Sequence, residues 1–268
     1  VLRAIGQPCG SWTELVEGCR ADPERHYLRH CWPDGFDGKL PVDAVPHEVA
    51  EAGDRFARAC VAAGIRPLVI RARLVFPEQF NELVAYYGTK GAVLSDVTVG
   101  LLREVMEMVH RPGALTSADP LEDGAWPFGF VSHSAPIPFQ QTIDVVCDKH
   151  GGRNFYAALL QHHFPECWVE PVHESRAESR YEWGPPEARV RVIFRSNGET
   201  FLPTALASMT AKYLRELAMR AFNEFWCSRV PNLRPTAGYA GDSRRFKQSI
   251  TAKQRELGIA DRVLWRER

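Results

Sequence analysis

The sequence predicts an α/β or α+β domain with a C-terminal helical cap. Two observations carry this: strand-like and helical patterns are mixed along residues 47–227, and two short helical patterns close the chain. A third is the ordinary globular composition, 45% hydrophobic and 25% charged over 268 residues, without internal repeats or low-complexity tracts. Such a chain can bury a sizeable core, which argues against intrinsic disorder. No stretch reaches the ~20 apolar residues of a membrane helix. Lys+Arg number 33 and Asp+Glu 33, a formal net charge of zero. That balance argues against histone-like binding through bulk charge and leaves a local basic groove open.

Residues 1–46 read as irregular, with Pro8, Pro23, Pro33, Pro41 and Pro46 and little periodicity. Residues 47–63 form a helical pattern with Val49, Phe56, Ala57, Cys60 and Val61 inward, stopped by Gly64. Residues 68–75 alternate as a strand. Pro77 opens a short helix ended by Gly88, and Ser95 is placed as the cap of a longer one reaching His110. Val99, Leu102, Val105 and Val109 lie along one face of it. Residues 111–141 are a Pro/Gly-rich excursion, too long for an ordinary connection.

The apolar run 143–147 reads as a strand buried on both faces. A helix over 154–163 follows. Further strands are read at 167–173 and 189–195, and Asn197-Gly198 is a turn signal. The strongest helix starts at Pro203 and reaches Trp226, with shorter ones over 243–257 and 260–266.

The seven cysteines, Cys9, Cys19, Cys31, Cys60, Cys147, Cys167 and Cys227, contain no C-x-x-C pair. Their spacing offers neither a zinc site nor a disulfide framework, and Cys60 and Cys147 read as small core residues. His162-His163 lacks a companion ligand at metal-binding spacing. The chain opens on Val1-Leu2-Arg3 without Met or an apolar leader, so a reduced, cytoplasmic protein is expected.

Two acidic residues stand out. Asp148 ends the apolar run and is followed by Lys149-His150-Gly151-Gly152-Arg153. It reads either as the first acceptor of a β-turn or as a cation ligand beside a glycine turn, with Arg153 able to reach a phosphate. Glu216 shares a helical face with Ser208 and Lys212, at i, i+4 and i+8, beside a ridge of Met209, Tyr213 and Leu217. The plainer alternative there is a solvated Lys212–Glu216 ion pair. The glycine-punctuated loop 236–242 presents Tyr239, which either packs under the loop or stacks on a sugar or base.

In this order these pieces resemble type 2 ribonuclease H, the enzymes that cleave RNA within RNA–DNA duplexes. Val145-Val146-Cys147-Asp148 is similar to the family's hydrophobic strand ending in a catalytic Asp. Ala207-Ser208-Met209-Thr210-Ala211-Lys212-Tyr213-Leu214-Arg215-Glu216 resembles its Ala-Ser-x-x-Ala-Lys-x-x-Arg-Asp helix, and Gly238-Tyr239 its substrate-contacting loop. Residues 71–75, Phe80-Asn81 and the helix after Ser95 resemble its third strand, its Asn and its next helix. The resemblance covers residues 67–250, with 111–141 and 164–187 as insertions.

The resemblance implies a ribonuclease H-like mixed sheet flanked by helices, in a single domain. It also implies a monomeric endonuclease, with Asp148 and Glu216 as catalytic and metal-holding residues for Mg²⁺ or Mn²⁺. Lys149, Gly151, Gly152, Arg153, Ser208, Lys212, Arg215 and Tyr239 would then contact the nucleic-acid substrate. Two departures follow. Glu216 stands where the family has Asp, and no residue of 1–46 matches the family's Asp-Glu strand; Asp22-Pro23-Glu24 and Asp34-Gly35 lie in Pro-rich context. That strand is therefore expected before Val1, in an N-terminally incomplete chain. The competing expectations are a non-catalytic nucleic-acid-binding module on the same scaffold and an unrelated metal-dependent phosphohydrolase. The last 30 residues contain Arg244, Arg245, Lys247, Lys253, Arg255, Arg262, Arg266 and Arg268, a basic C-terminal face.

Overall fold

Val190, Val192 and Phe194 face inward from one strand, and the sheet is assembled around them. A computed structural model describes residues 1–2, 5, 9–19, 38–65, 69–110 and 142–267. The excursion 111–141, most of 1–37, residues 66–68 and Arg268 lie outside the described residues. The protein is α/β: among the described residues there are eight α-helices and one four-stranded mixed sheet. Its chain forms two compact units. The first comprises Val1–Thr89 with Met209–Arg268, and the second Lys90–Ser208.

The second unit contains α4 (Lys90–His110), β1 (Ile143–Asp148), α5 (Ala157–His163), β2 (Glu170–Glu174), β3 (Glu178–Trp183) and β4 (Val190–Arg195). The strand order is β1-β4-β3-β2. β1 runs parallel to β4, with Ile143 opposite Val190 and Asp148 opposite Arg195, while β2, β3 and β4 form an antiparallel meander. Strand alternation puts Ser179, Tyr181 and Trp183 of β3 inside. Together with Val190, Val192 and Phe194 they meet Val99 and Met106 of α4 and Leu160 of α5. Tyr156 and Phe194 stack with centroids 3.8 Å apart, at the centre of this core.

The first unit contains α1 (Trp12–Gly18), α2 (Pro46–Ala62), α3 (Pro77–Tyr87), most of α6 (Leu202–Cys227), α7 (Ala240–Glu256) and α8 (Asp261–Leu264). Leu214, Leu217, Ala221, Phe225 and Trp226 of α6 are buried, as are Phe246 and Ile250 of α7. Asn81 ties α3 to the end of the chain. Its Nδ2 donates to the carbonyls of Arg262 and Trp265, each at 2.9 Å, and its Oδ1 accepts from Glu267 N–H at 2.8 Å.

Several expectations change. Residues 12–18, read as irregular, form α1: Ser11 caps it by accepting from Glu14 N–H at 3.3 Å, and Glu14 accepts from Gly10 N–H at 2.7 Å. The strand expected over 68–75 pairs with no strand among the described residues. Ala72 N–H instead donates to the Cys19 carbonyl at 3.1 Å, mooring the end of α1. α4 starts at Lys90, so Ser95 is no cap; it is fully buried with its Oγ 3.0 Å from His150 Nδ1.

β1 is the terminal strand of the sheet and only part-buried rather than enclosed on both faces, because β4 alone pairs with it among the described residues. The insertion expected at 164–187 holds β2 and β3, the latter unforeseen. On α2, Val61 is exposed, and Val49, Phe56, Ala57 and Cys60 are half-buried. Cys147 is also half-buried. No helix among the described residues is long and apolar enough to cross a membrane.

Candidate functional site

In the second unit the candidate residues cluster on the turn that follows β1. Gly151 adopts φ +59°, a conformation that glycine reaches without strain. Tyr156 closes the turn: its hydroxyl accepts from His150 N–H at 3.0 Å and donates to the Arg153 carbonyl at 3.2 Å. Tyr156 is held in turn by Tyr181, whose hydroxyl accepts its N–H at 2.8 Å and donates to Glu174. Burial, reinforced by Arg153, pushes His150 down to about 4 and so leaves the imidazole neutral at pH 7.

Asp148 is exposed at the end of β1. It does not serve its own turn. Its Oδ1 accepts from Gly198 N–H at 2.7 Å, across the sheet's end, and its Oδ2 has no partner among the described residues. Glycine at 198 leaves room for this approach: a Cβ there would lie 2.6 Å from Asp148 Oδ1 and 3.2 Å from Thr204 Cγ2, so the exposed carboxylate would have to shift. Thr204 Oγ1 donates to the Val146 carbonyl at 3.2 Å, pinning the first turn of α6 to β1. Ser208 donates to Glu199 at 2.9 Å, so its hydroxyl is already engaged.

Lys149 is a structural cation. Its Nζ donates to Asn154 Oδ1 at 3.1 Å, to the Ser175 carbonyl at 2.5 Å and to Ser179 Oγ at 3.0 Å, and partial burial lowers its pKa. Arg153 lies with its guanidinium 5.9 Å from the Tyr156 ring centre.

In the first unit, Arg215 of α6 organises the Gly238-Tyr239 loop. Its Nη2 donates to the Ala237 carbonyl at 2.6 Å, and its guanidinium lies 4.5 Å from the Tyr239 ring centre. Tyr239 does not pack under the loop; it is 65% exposed. Gly238 takes φ +73° against Met219, where a Cβ would come within 3.1 Å of Sδ. Asn223 clamps Thr236 in both directions, each hydrogen bond 2.9 Å long. Arg245 braces the far side, donating to Asp242 at 2.8 Å and to the carbonyls of Arg234 and Pro235. Hydrogen bonds from Arg245 and then Thr236 hold the Asp242 carboxyl at about 2.

Arg215, Glu216, Met219, Asn223, Ala237 and Tyr239 share the lining of an open cavity of about 470 Å³. Glu216 is exposed, and no described residue ion-pairs with it, so the Lys212–Glu216 pair is not formed. The ridge expected beside it is divided: Leu217 is buried, whereas Met209 is 65% and Tyr213 36% exposed.

The basic C-terminal face is partly neutralised. Arg245, Lys247, Lys253 and Arg262 pair with Asp242, Asp261, Glu256 and Glu78. Arg266 lies over the Phe80 ring at 5.4 Å.

Asp148 and Glu216 both offer exposed oxygen donors, which suit a hard divalent cation. Among the described residues no group of three or more His, Cys, Asp or Glu is gathered as a metal site. Sequence reasoning missed Asn154 and Asn223, and did not give Gly198 or Asp242 the roles they have here. Asn197-Gly198 was visible as a turn, but nothing local signalled that its amide would meet a carboxylate 50 residues earlier. Compared with family models, curated proteins and solved structures, the chain finds no match.

Proposed function

We propose that this chain is a ribonuclease H-like, divalent-metal-dependent endonuclease acting on the RNA strand of RNA–DNA hybrids or on ribonucleotides embedded in duplex DNA. The observation that supports it best is the joint arrangement of two motifs distant in sequence. Arg215, beside Glu216, holds the Gly238-Tyr239 loop by hydrogen bond and by stacking. An exposed aromatic ring fixed beside an unpaired carboxylate suits contact with a sugar or base next to a scissile phosphate.

Asp148, in the second unit, and Glu216, in the first, would each offer a carboxylate to Mg²⁺ or Mn²⁺. The bound ions supply an activated water and stabilise the leaving 3′ oxygen. Gly198 N–H fixes one Asp148 oxygen and leaves the other for ligation. Arg215 aims Tyr239, whose ring and hydroxyl lie against the ribose and discriminate RNA from DNA. Lys212, on the exposed face of α6, is assigned by this reading to a flanking phosphate.

Incubating the chain with Mg²⁺ or Mn²⁺ and a duplex carrying embedded ribonucleotides, with all-DNA duplex as control, tests this. Cleavage confined to the ribonucleotide strand, abolished in Asp148→Asn with hybrid binding retained, is the expected result. Wild-type activity in Asp148→Asn overturns the assignment. Glu216 in place of the family's Asp favours a second reading, a nucleic-acid-binding module without catalysis. That reading predicts hybrid binding and no cleavage with either metal. Turnover of a chromogenic phosphodiester without any dependence on hybrid would instead identify a phosphohydrolase of small esters.

A further inference from the structure

Between the glycine turn, the β2–β3 turn and the end of β4 lies a polar pocket of about 340 Å³, lined by Lys149, Gly151, Gly152, Asn154, Arg176 and Ser196. Its lining holds two cations and no carboxylate. The neighbouring acids are already engaged: Glu174 accepts from the Tyr181 hydroxyl, and Glu178 pairs with Arg180 at 2.7 Å.

The donors here are arranged rather than merely abundant. Lys149 spends its N–H groups on Asn154 Oδ1, Ser175 and Ser179, which fixes the orientation of the Asn154 amide. With Oδ1 accepting from a cation, Asn154 Nδ2 is left as a donor without a partner among the described residues. The backbone N–H groups of Gly151 and Gly152 and the Ser196 hydroxyl are likewise unengaged. Arg176 is exposed at the tip of the β2–β3 turn and makes no ion pair with a described residue. Adjacent amides, an amide NH₂, a hydroxyl and a guanidinium give a donor-rich lining without a carboxylate, whose complement is a tetrahedral oxyanion.

We propose that this pocket is a phosphate subsite that seats one backbone phosphate of a nucleic-acid strand, with Arg176 as its principal cation. It rests on the nucleic-acid reading above and extends it to the β2–β3 hairpin, which the resemblance to ribonuclease H does not cover. Arg176 is a substrate-positioning residue: it holds the strand and does not touch the reacting atoms.

The test measures anisotropy of a labelled RNA–DNA hybrid bound to the full chain in EDTA, across salt concentrations, for wild type, Arg176→Ala and Arg176→Lys. Removing one phosphate contact lowers the slope of log K against log salt by about 1. Arg176→Ala is expected to show that loss and Arg176→Lys to keep the slope. Unchanged affinity and slope in Arg176→Ala overturn the pocket while leaving the nucleic-acid reading intact. In a parallel arm, inorganic phosphate is titrated while the Gly151 and Gly152 amides are followed by NMR. Shifts that vanish in Arg176→Ala, in a chain that binds no hybrid, overturn the backbone-phosphate source and the proposed function together. They leave the pocket as a site for a free phosphate group.

Discussion

Gly198 shows how much one hydrogen atom can decide. Its N–H holds Asp148, and the absence of a side chain lets that carboxylate approach. Gly198→Ala should force the exposed Asp148 carboxylate away, at a cost of about 0.5–1.5 kcal/mol for the hydrogen bond lost. Urea denaturation reads the loss, and cleavage of hybrid should fall in parallel. Asp242 carries a pH signature of its own. Its folded carboxyl titrates at about 2, below the ordinary 3.8, so its contribution is full above pH 3.8 and disappears as pH falls to 2. Thermal melts across that window should show a decline in the wild type that is smaller in Asp242→Asn. An equal decline in both would locate the effect elsewhere.

At the level of elements, single polar side chains contribute to α1 and to the core beside β3. Ser11→Ala removes the cap of α1 and should cost ~1 kcal/mol, measurable by chemical denaturation. Tyr181→Phe strips the hydroxyl that links Tyr156 N–H to Glu174 inside the core. It should cost about 1–3 kcal/mol and loosen the turn that Tyr156 closes.

These elements also mark the limits of reading from sequence. α3 and α6 are legible because Pro77 and Gly88 punctuate the first and long apolar periodicity carries the second, while α7 shows only a short pattern with Phe246 and Ile250 inward. α1 was legible in Ser11-Trp12-Thr13-Glu14, a capping-box pattern obscured by the prolines around it. β3 alternates Ser179, Tyr181 and Trp183 with Glu178, Arg180 and Glu182, a period-2 signal carried by aromatics rather than aliphatics. The segment 69–76 alternates as well, yet pattern reports which side chains are buried, not whether a neighbouring strand pairs with the backbone. Among the candidate residues, Asp148, Glu216 and Tyr239 stood out by type and spacing, and Arg215 through the resemblance. Their partners did not, because Gly198 and Ala237 contribute only backbone groups.

Across the whole molecule, the first unit is closed by residues from both ends of the chain. Asn81 is the tie, saturating two carbonyls and one amide near the C-terminus. Asn81→Ala leaves those groups without their partner and should cost about 2–3 kcal/mol. Limited proteolysis should then release the C-terminal residues first, before any cut within 143–195. Simultaneous loss of both regions would show that the tie is not local to the first unit.

Discontinuity of this kind has a consequence for biosynthesis. The second unit is continuous in sequence and leaves the ribosome whole, whereas the first must wait for the sixty residues Met209–Arg268. At translation rates of ~5–20 residues per second that delay is roughly 3–12 seconds. During it, the half-buried face of α3 lacks its neighbour α8, and a holding chaperone would have its opportunity there.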